Sequence, residues 1–288
     1  MKLTQKLSKN TTSRDLDYEL SLGKNFLKEE KTALVTGGAR RLGRAISKEL
    51  ATSGYNVIIH YNSSEDDAFS IREELLEFGV DVHLLQADLL NDSETLSLFE
   101  RCKNLTDKPV NLLINNASIF EYDNIETATL ESWDRHHKSN LQVPFFLTQK
   151  FAQQAPSPER LESGELESKS CIINIIDQRV QNLTTDFTTY TLAKSALWTL
   201  TRISAKALAP KIRVNAIGPG PTLKAEFQSV SNYKKQRLST PLKRGSSTFE
   251  ICSTIKYFAD SPSVSGQLIC VDGGQNLQTI KNTEEIDR

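Results

Sequence analysis

The chain of 288 residues is poor in the features that mark secreted, metal-binding, membrane or nucleic-acid-binding proteins. Its four cysteines, Cys102, Cys171, Cys252 and Cys270, are far apart and form no C-x-x-C pair, which excludes a zinc ribbon and a disulfide framework and suits a reduced cytoplasm. Neither sign of charge is in excess, with 35 Lys and Arg against 36 Asp and Glu, so nothing electrostatic points to a nucleic-acid partner. No apolar run approaches the length that crosses a bilayer. Residues 1–30 have no apolar stretch of the kind a secretory signal requires, and carry Lys2, Lys6, Lys9, Arg14, Asp15, Asp17 and Glu19 instead. They are expected to be a flexible polar arm, and the protein is expected to be cytoplasmic with no membrane partner.

From Lys31 onward, short β-branched runs alternate with longer amphipathic segments. That alternation predicts an α/β fold in which helices cover both faces of a parallel sheet. Seven strands are expected, over Thr32–Thr36, Asn56–Tyr61, Val82–Asp88, Asn111–Asn115, Cys171–Asp177, Arg213–Ile217 and Gln267–Asp272. No composition shift or repeat divides them, so 31–276 reads as one doubly wound domain followed by a polar tail over 277–288. Residues 155–169, rich in Pro, Ser and Glu, read as an exposed loop. Residues 219–248 follow the sixth strand, where loops border the ligand crevice of such sheets, and make a candidate substrate lid.

The first strand runs into Thr36-Gly37-Gly38-Ala39-Arg40-Arg41-Leu42-Gly43 and then a helix. Glycines at a strand-to-helix turn let the backbone approach a pyrophosphate, which the free N–H groups of the helix end then hold. An acidic residue ending the second strand would select NAD. Here that stretch is His60-Tyr61-Asn62-Ser63-Ser64, all neutral, with Arg40 and Arg41 arriving from the neighbouring turn. Hydroxyls and guanidinium groups suit a 2′-phosphate, so NADPH is the expected cofactor.

Tyr190 and Lys194 are four residues apart on a predicted helix and share one face, so the ammonium is expected to lower the phenol pKa toward that of a usable proton donor. Asp177 ends the preceding strand.

Together these motifs resemble the short-chain dehydrogenase/reductase superfamily, whose Rossmann-type sheet matches the strands above. Two departures narrow the resemblance toward pteridine reductases. Asp177 replaces the serine that binds a substrate carbonyl, and Arg41 replaces the middle glycine of the turn. The resemblance implies cofactor contacts from Gly37, Arg40, Arg41, Leu42, Gly43, His60, Tyr61, Asn62, Ser63, Ser64, Asp88, Leu89, Asn116, Ala117, Lys194, Pro219 and Gly220. It implies catalytic roles for Asp177, Tyr190, Lys194 and Asn140, the last holding a relay water, and pterin contacts from Arg41, Ser118, Phe120, Asp177 and Tyr190. Asp272-Gly273-Gly274 matches a structural motif of the last strand. The implied reaction reduces a C=N bond of a dihydropterin of the monapterin or biopterin type, with Tyr190 donating the proton, in a homotetramer packed through the helices near Ser132–Phe151 and Thr189–Leu208. A carbonyl reductase acting on a 3-oxoacyl thioester or small ketone is the alternative. A non-catalytic NADP-binding regulator fits less well, because the catalytic side chains are retained.

Overall fold

A computed structural model describes residues 31–226 and 228–278. The expectations for the arm over 1–30 and for all but the first two residues of the tail lie outside the described residues. The strands are β1 (Thr32–Val35), β2 (Asn56–Tyr61), β3 (Val82–Gln86), β4 (Leu112–Asn115), β5 (Glu159–Arg160), β6 (Leu166–Glu167), β7 (Ser170–Ile175), β8 (Ile212–Pro219) and β9 (Leu268–Val271). The helices are α1 (Arg41–Thr52), α2 (Glu65–Leu76), α3 (Asp92–Lys103), α4 (Leu130–His137), α5 (Val143–Gln154), α6 (Thr188–Leu208), α7 (Val230–Ser239) and α8 (Thr248–Asp260).

Seven strands form one parallel sheet in the order β3-β2-β1-β4-β7-β8-β9. All seven match the expected runs, with ends shifted by a residue or two and β8 longer at both ends. The apolar runs are continuous because both faces are covered. Ile46, Leu50, Ile71, Ile255 and Phe258 of α1, α2 and α8 pack on one face, and Leu98, Phe99, Leu147 and Phe151 of α3 and α5 on the other. Central side chains such as Leu34, Leu113 and Ile172 are fully buried. Each contributes about 1.5–3 kcal/mol, so the strand ends that carry the site are held rigidly. The chain order reverses between β1 and β4, which opens a crevice at the carboxyl ends of the strands.

Three segments depart from expectation. Residues 155–169 are not a plain loop but contain a β5–β6 hairpin, in which Lys169 pairs with Glu159 and Glu167. The helix expected near Ser132–Phe151 is interrupted by a π-helical turn over Lys138–Gln142 that separates α4 from α5. The segment expected as a lid carries a helix of its own, α7, started by Ser229, whose hydroxyl accepts the Asn232 N–H.

Candidate active site

The turn after β1 is a backbone cradle. Gly37 has φ +61°, and a Cβ there would stand 3.3 Å from Ala117 Cα; a Cβ on Gly43 would stand 1.9 Å from the Gly37 carbonyl oxygen. Only glycine allows the first turn of α1 to come this close. The Thr36 hydroxyl donates to the Ile114 carbonyl and accepts the Asn116 and Ala117 N–H groups, while Asn116 Nδ2 donates to the Thr36 and Gly37 carbonyls. The Asn115-Asn116-Ala117 segment thus fixes the turn from β4. His60 Nδ1 accepts the Gly37 N–H at 3.0 Å, and Nε2 faces the Ala87 carbonyl at 3.1 Å. Burial pushes the His60 pKa down to about 4, so this ring is neutral and acts as a brace.

The cradle opens into a cleft of about 640 Å³ lined by Gly37, Arg40, Arg41, Leu42, Gly43, His60, Asn62, Asp88, Leu89, Asn116, Ala117 and Ser118 among others. That volume lies within the range of small-molecule and cofactor sites, and the cradle and cations fit a dinucleotide phosphate. Six expected cofactor residues are absent from the cleft lining: Tyr61, Ser63, Ser64, Lys194, and Pro219 and Gly220, which line a second cavity. Strand alternation sends the Tyr61 ring into the core, and Ser63 and Ser64 lie past the strand end in the turn leading to α2.

Arg41 has φ +51°, a left-handed conformation that costs a non-glycine residue about 1–2 kcal/mol. This is the place where the resemblance sets a glycine. The guanidinium Nη2 donates to the Lys224 carbonyl at 2.8 Å. Arg40 lies 3.5 Å from Asp67 and 3.6 Å from Glu226, so both arginines meet acceptors of neighbouring segments across the cleft mouth.

At the far end, β7 delivers Asp177 and α6 delivers Tyr190 and Lys194. The Tyr190 hydroxyl donates to Asp177 Oδ2 at 3.1 Å, and Lys194 Nζ donates to the Ile175 carbonyl at 2.9 Å, 5.6 Å from the Tyr190 ring centroid. Lys194 sits under the phenol as expected, but the phenol shifts the other way. Burial first, and then the Asp177 charge, raise the Tyr190 pKa well above its usual value. Burial also raises Asp177 and lowers Lys194 to about 8. Desolvation of a charged form outweighs a cation whose nearest partner is a carbonyl. Lys194 is also absent from the lining of the cofactor cleft.

Phe120 meets the Tyr190 ring edge-on at 4.7 Å and stacks on Phe187 at 4.3 Å. A smaller cavity of about 220 Å³ adjoins, lined by Phe120, Asp177, Arg179, Phe187, Pro219, Gly220 and several glutamines. Asn140 lies in the π turn. Its Oδ1 accepts the Ile119 N–H at 2.9 Å and the Ser118 hydroxyl at 3.1 Å, and its Nδ2 donates to the Ile119 carbonyl at 2.9 Å. The Asn140 side chain thus fixes the segment before Phe120.

Sequence reasoning missed Phe187, and helical spacing could not have found it, because it precedes α6 in a left-handed conformation. It also missed a buried brace behind the site. The Asp123 carboxylate accepts the Thr189 N–H at 3.2 Å and the Thr189 hydroxyl, and His136 Nδ1 lies 2.6 Å from that hydroxyl. Asp272 behaves as expected, its carboxylate accepting the Gly274 and Asn276 N–H groups.

Residues 31–235 match the short chain dehydrogenase family. The chain is 32% identical to pteridine reductase 1 of Leishmania tarentolae, over 85% of this chain and 96% of that protein. It is 29% identical to the 3-oxoacyl-[acyl-carrier-protein] reductase FabG of Staphylococcus aureus, over 87% of this chain and 100% of that protein. Among solved structures, FolM alternative dihydrofolate reductase 1 from Brucella suis, in complex with NADP, superposes with a TM-score of 0.80 at 40% identity, over 88% of this chain and 97% of that one. The chain belongs to the short-chain dehydrogenase family.

Proposed function

We propose that the chain is an NADPH-dependent reductase of a C=N bond in a dihydropterin. The observation that carries this reading is the Tyr190 hydroxyl bonded to the Asp177 carboxylate, with the Phe120 ring against the same tyrosine. An ionised carboxylate beside a developing oxyanion is repulsive, so the pair is poorly suited to carbonyl reduction. Either reduction adds a hydride and a proton, but the nitrogen of a C=N bond is the more basic acceptor and builds up less negative charge beside the carboxylate, and two acids pushed up by burial hold the proton it needs between them. The Leishmania and Brucella relatives support the reading, and the NADP of the Brucella structure supports the cofactor.

Bound NADPH supplies the hydride. The cradle of Gly37 and Gly43 would hold its pyrophosphate, and Arg40, Arg41 and Asn62 its 2′-phosphate side. Asp88, Leu89, Asn116 and Ala117 would flank the adenosine, with Pro219 and Gly220 at the opposite end. Lys194 would bind the nicotinamide ribose. Phe120 gives a flat heterocycle an apolar platform, and Arg41 and Ser118 face the cleft beside it. Tyr190 delivers the proton that it shares with Asp177. The same reading includes a homotetramer in the cytoplasm, supported by exposed Trp133, Phe145, Leu192 and Ile203 on α4, α5 and α6.

The FabG relative favours a second reading, a 3-oxoacyl thioester reductase. The test follows NADPH oxidation at 340 nm with dihydrobiopterin, dihydromonapterin, dihydrofolate and an acetoacetyl thioester, using wild type and Asp177→Ser. Turnover of a dihydropterin that collapses in the variant is expected. Turnover of the thioester alone, kept or improved in the variant, would establish the second reading, and binding of NADPH with no turnover of any of the four would make the chain a regulator.

A further inference from the structure

Asp177 is held on both oxygens. Oδ2 takes the Tyr190 hydroxyl, and Oδ1 accepts the Arg179 backbone N–H at 2.8 Å with the Arg179 Nε 4.0 Å away. The guanidinium itself is fixed from two further sides. Nη1 donates to the Thr184 hydroxyl oxygen at 2.6 Å, and the central carbon lies 4.8 Å from the centroid of the Phe187 ring. Thr184 donates its own proton to the Asp186 carbonyl, so its lone pairs are turned toward the arginine. The side chains of Arg179 and Asp177 are 15% and 19% exposed.

At a solvated surface a 4.0 Å ion pair would contribute little. Here the arginine is ordered before it meets the carboxylate, so little side-chain entropy is left to lose, and water is largely excluded. The groups facing Asp177 are Tyr190 and Lys194 from α6, Arg179 from the turn after β7, and the Cys270 thiol from β9. Lys194 donates to the Ile175 carbonyl, which leaves Arg179 as the cation ordered against Asp177 Oδ1.

We propose that Arg179 is the positioning residue of the site: its stacked guanidinium keeps Asp177 Oδ2 turned to Tyr190 and sets the pH at which the pair exchanges its proton. The proposal rests on the reading of Asp177 and Tyr190 as the proton-handling pair. Burial raises the Asp177 pKa and the Arg179 charge is the largest influence lowering it, which agrees with the geometry.

The test titrates Asp177 directly, by carbon NMR of protein labelled at the aspartate carboxyl carbons, with Asp177→Asn used only to assign the signal. In Arg179→Met the Asp177 midpoint is expected to rise by about one pH unit, the size of a single partly buried charge contact. The pH–rate limb that reports the pair should move up with it. Arg179→Lys keeps the charge but loses the stacked planar fork, and should bring the midpoint only part of the way back, between those of Arg179→Met and wild type. An unmoved midpoint in Arg179→Met, or an equal shift in Arg179→Lys, would overturn the proposal, because a merely structural arginine would lower activity equally at every pH. The titration needs no substrate. If no dihydropterin is turned over but the midpoint moves, the pterin reading fails and the role of Arg179 stands; turnover with an unmoved midpoint is the reverse result.

Discussion

The Nδ1 atom of His60 accepts the Gly37 N–H at 3.0 Å and ties the end of β2 to the glycine turn. This requires a neutral ring carrying its proton on Nε2, toward Ala87. His60→Leu leaves the Gly37 N–H without its acceptor, at a cost of about 1–2 kcal/mol. NADPH affinity measured by fluorescence titration should fall by up to about tenfold, because binding must then re-order the loosened turn against part of that cost. His60 also adds to acid sensitivity. Its folded pKa of about 4 lies below the ordinary histidine value of 6.5, so the unfolded chain binds the proton more readily between these values, and native stability falls as pH drops from 6.5 toward 4. Denaturant unfolding of His60→Leu should lack this component; equal acid slopes in both proteins would contradict it.

Arg41 holds φ +51° where a glycine would be unstrained. Arg41→Gly removes that strain and should raise stability, but a glycine is freer in the unfolded chain, which offsets part of the gain. The net expectation is a change within about 1 kcal/mol. Activity should fall by at least an order of magnitude as a guanidinium leaves the cofactor cleft. Loss of stability by several kcal/mol would instead show that the bond to the Lys224 carbonyl is the main role of Arg41.

Lys194 carries a folding cost that its position in the site explains. A pKa lowered from 10.5 to about 8 corresponds to about 3 kcal/mol against the buried ammonium at neutral pH. The penalty is present in full below pH 8 and fades as pH rises toward 10.5, where the unfolded chain also loses the proton. Lys194→Met escapes it but forfeits the bond to the Ile175 carbonyl, worth about 1 kcal/mol. The variant should therefore be the more stable protein by about 2 kcal/mol at pH 7 while losing activity about a hundredfold or more. Thermal melts at pH 7 and pH 10 check the sign, since the advantage should shrink at the higher pH. A constant difference would mean that the burial cost is not electrostatic.

How much of this was legible in the sequence follows from which contacts are local. The seven strands were readable because a parallel sheet buried on both faces leaves unbroken apolar runs such as Ile172-Ile173 and Val57-Ile58-Ile59. The glycine cradle and the Tyr190–Lys194 face were readable because their geometry lies within one turn. The β5–β6 hairpin was hidden because its residues are polar and exposed, and the π turn at Lys138–Gln142 is marked only by Pro144 at the start of α5, which a continuous helix also tolerates near its first turn. Arg179 meeting Phe187, and Asp123 meeting Thr189 from 66 residues away, arise only in the folded chain. The direction of the Tyr190 shift was misjudged for the same reason: charge spacing is visible in a sequence, and desolvation is not.

That long-range brace provides the last test. Phe187 starts α6 in a left-handed conformation, φ +59°, and makes no side-chain cap. The Asp123 carboxylate from the segment after Phe120 takes over the role, accepting the N–H and hydroxyl of Thr189, while the Asp123 carbonyl accepts the Phe187 N–H at 2.7 Å. Asp123 and His136 are 2% and 0% exposed; Asp123 keeps the Ser132 hydroxyl and the Thr189 N–H, whereas His136 Nδ1 loses with the Thr189 hydroxyl a bond that water cannot readily replace. Thr189→Val keeps the shape and removes the hydroxyl, and should destabilise by about 1–3 kcal/mol, lowering the melting temperature by several degrees. Thr189→Ser restores the hydroxyl and should recover most of the loss. Because the same brace sets the distance between Phe120 and Tyr190, the valine variant should raise KM for a dihydropterin more than it raises the Kd for NADPH. An equal weakening of both would show that the brace supports the whole sheet rather than the substrate end of the site.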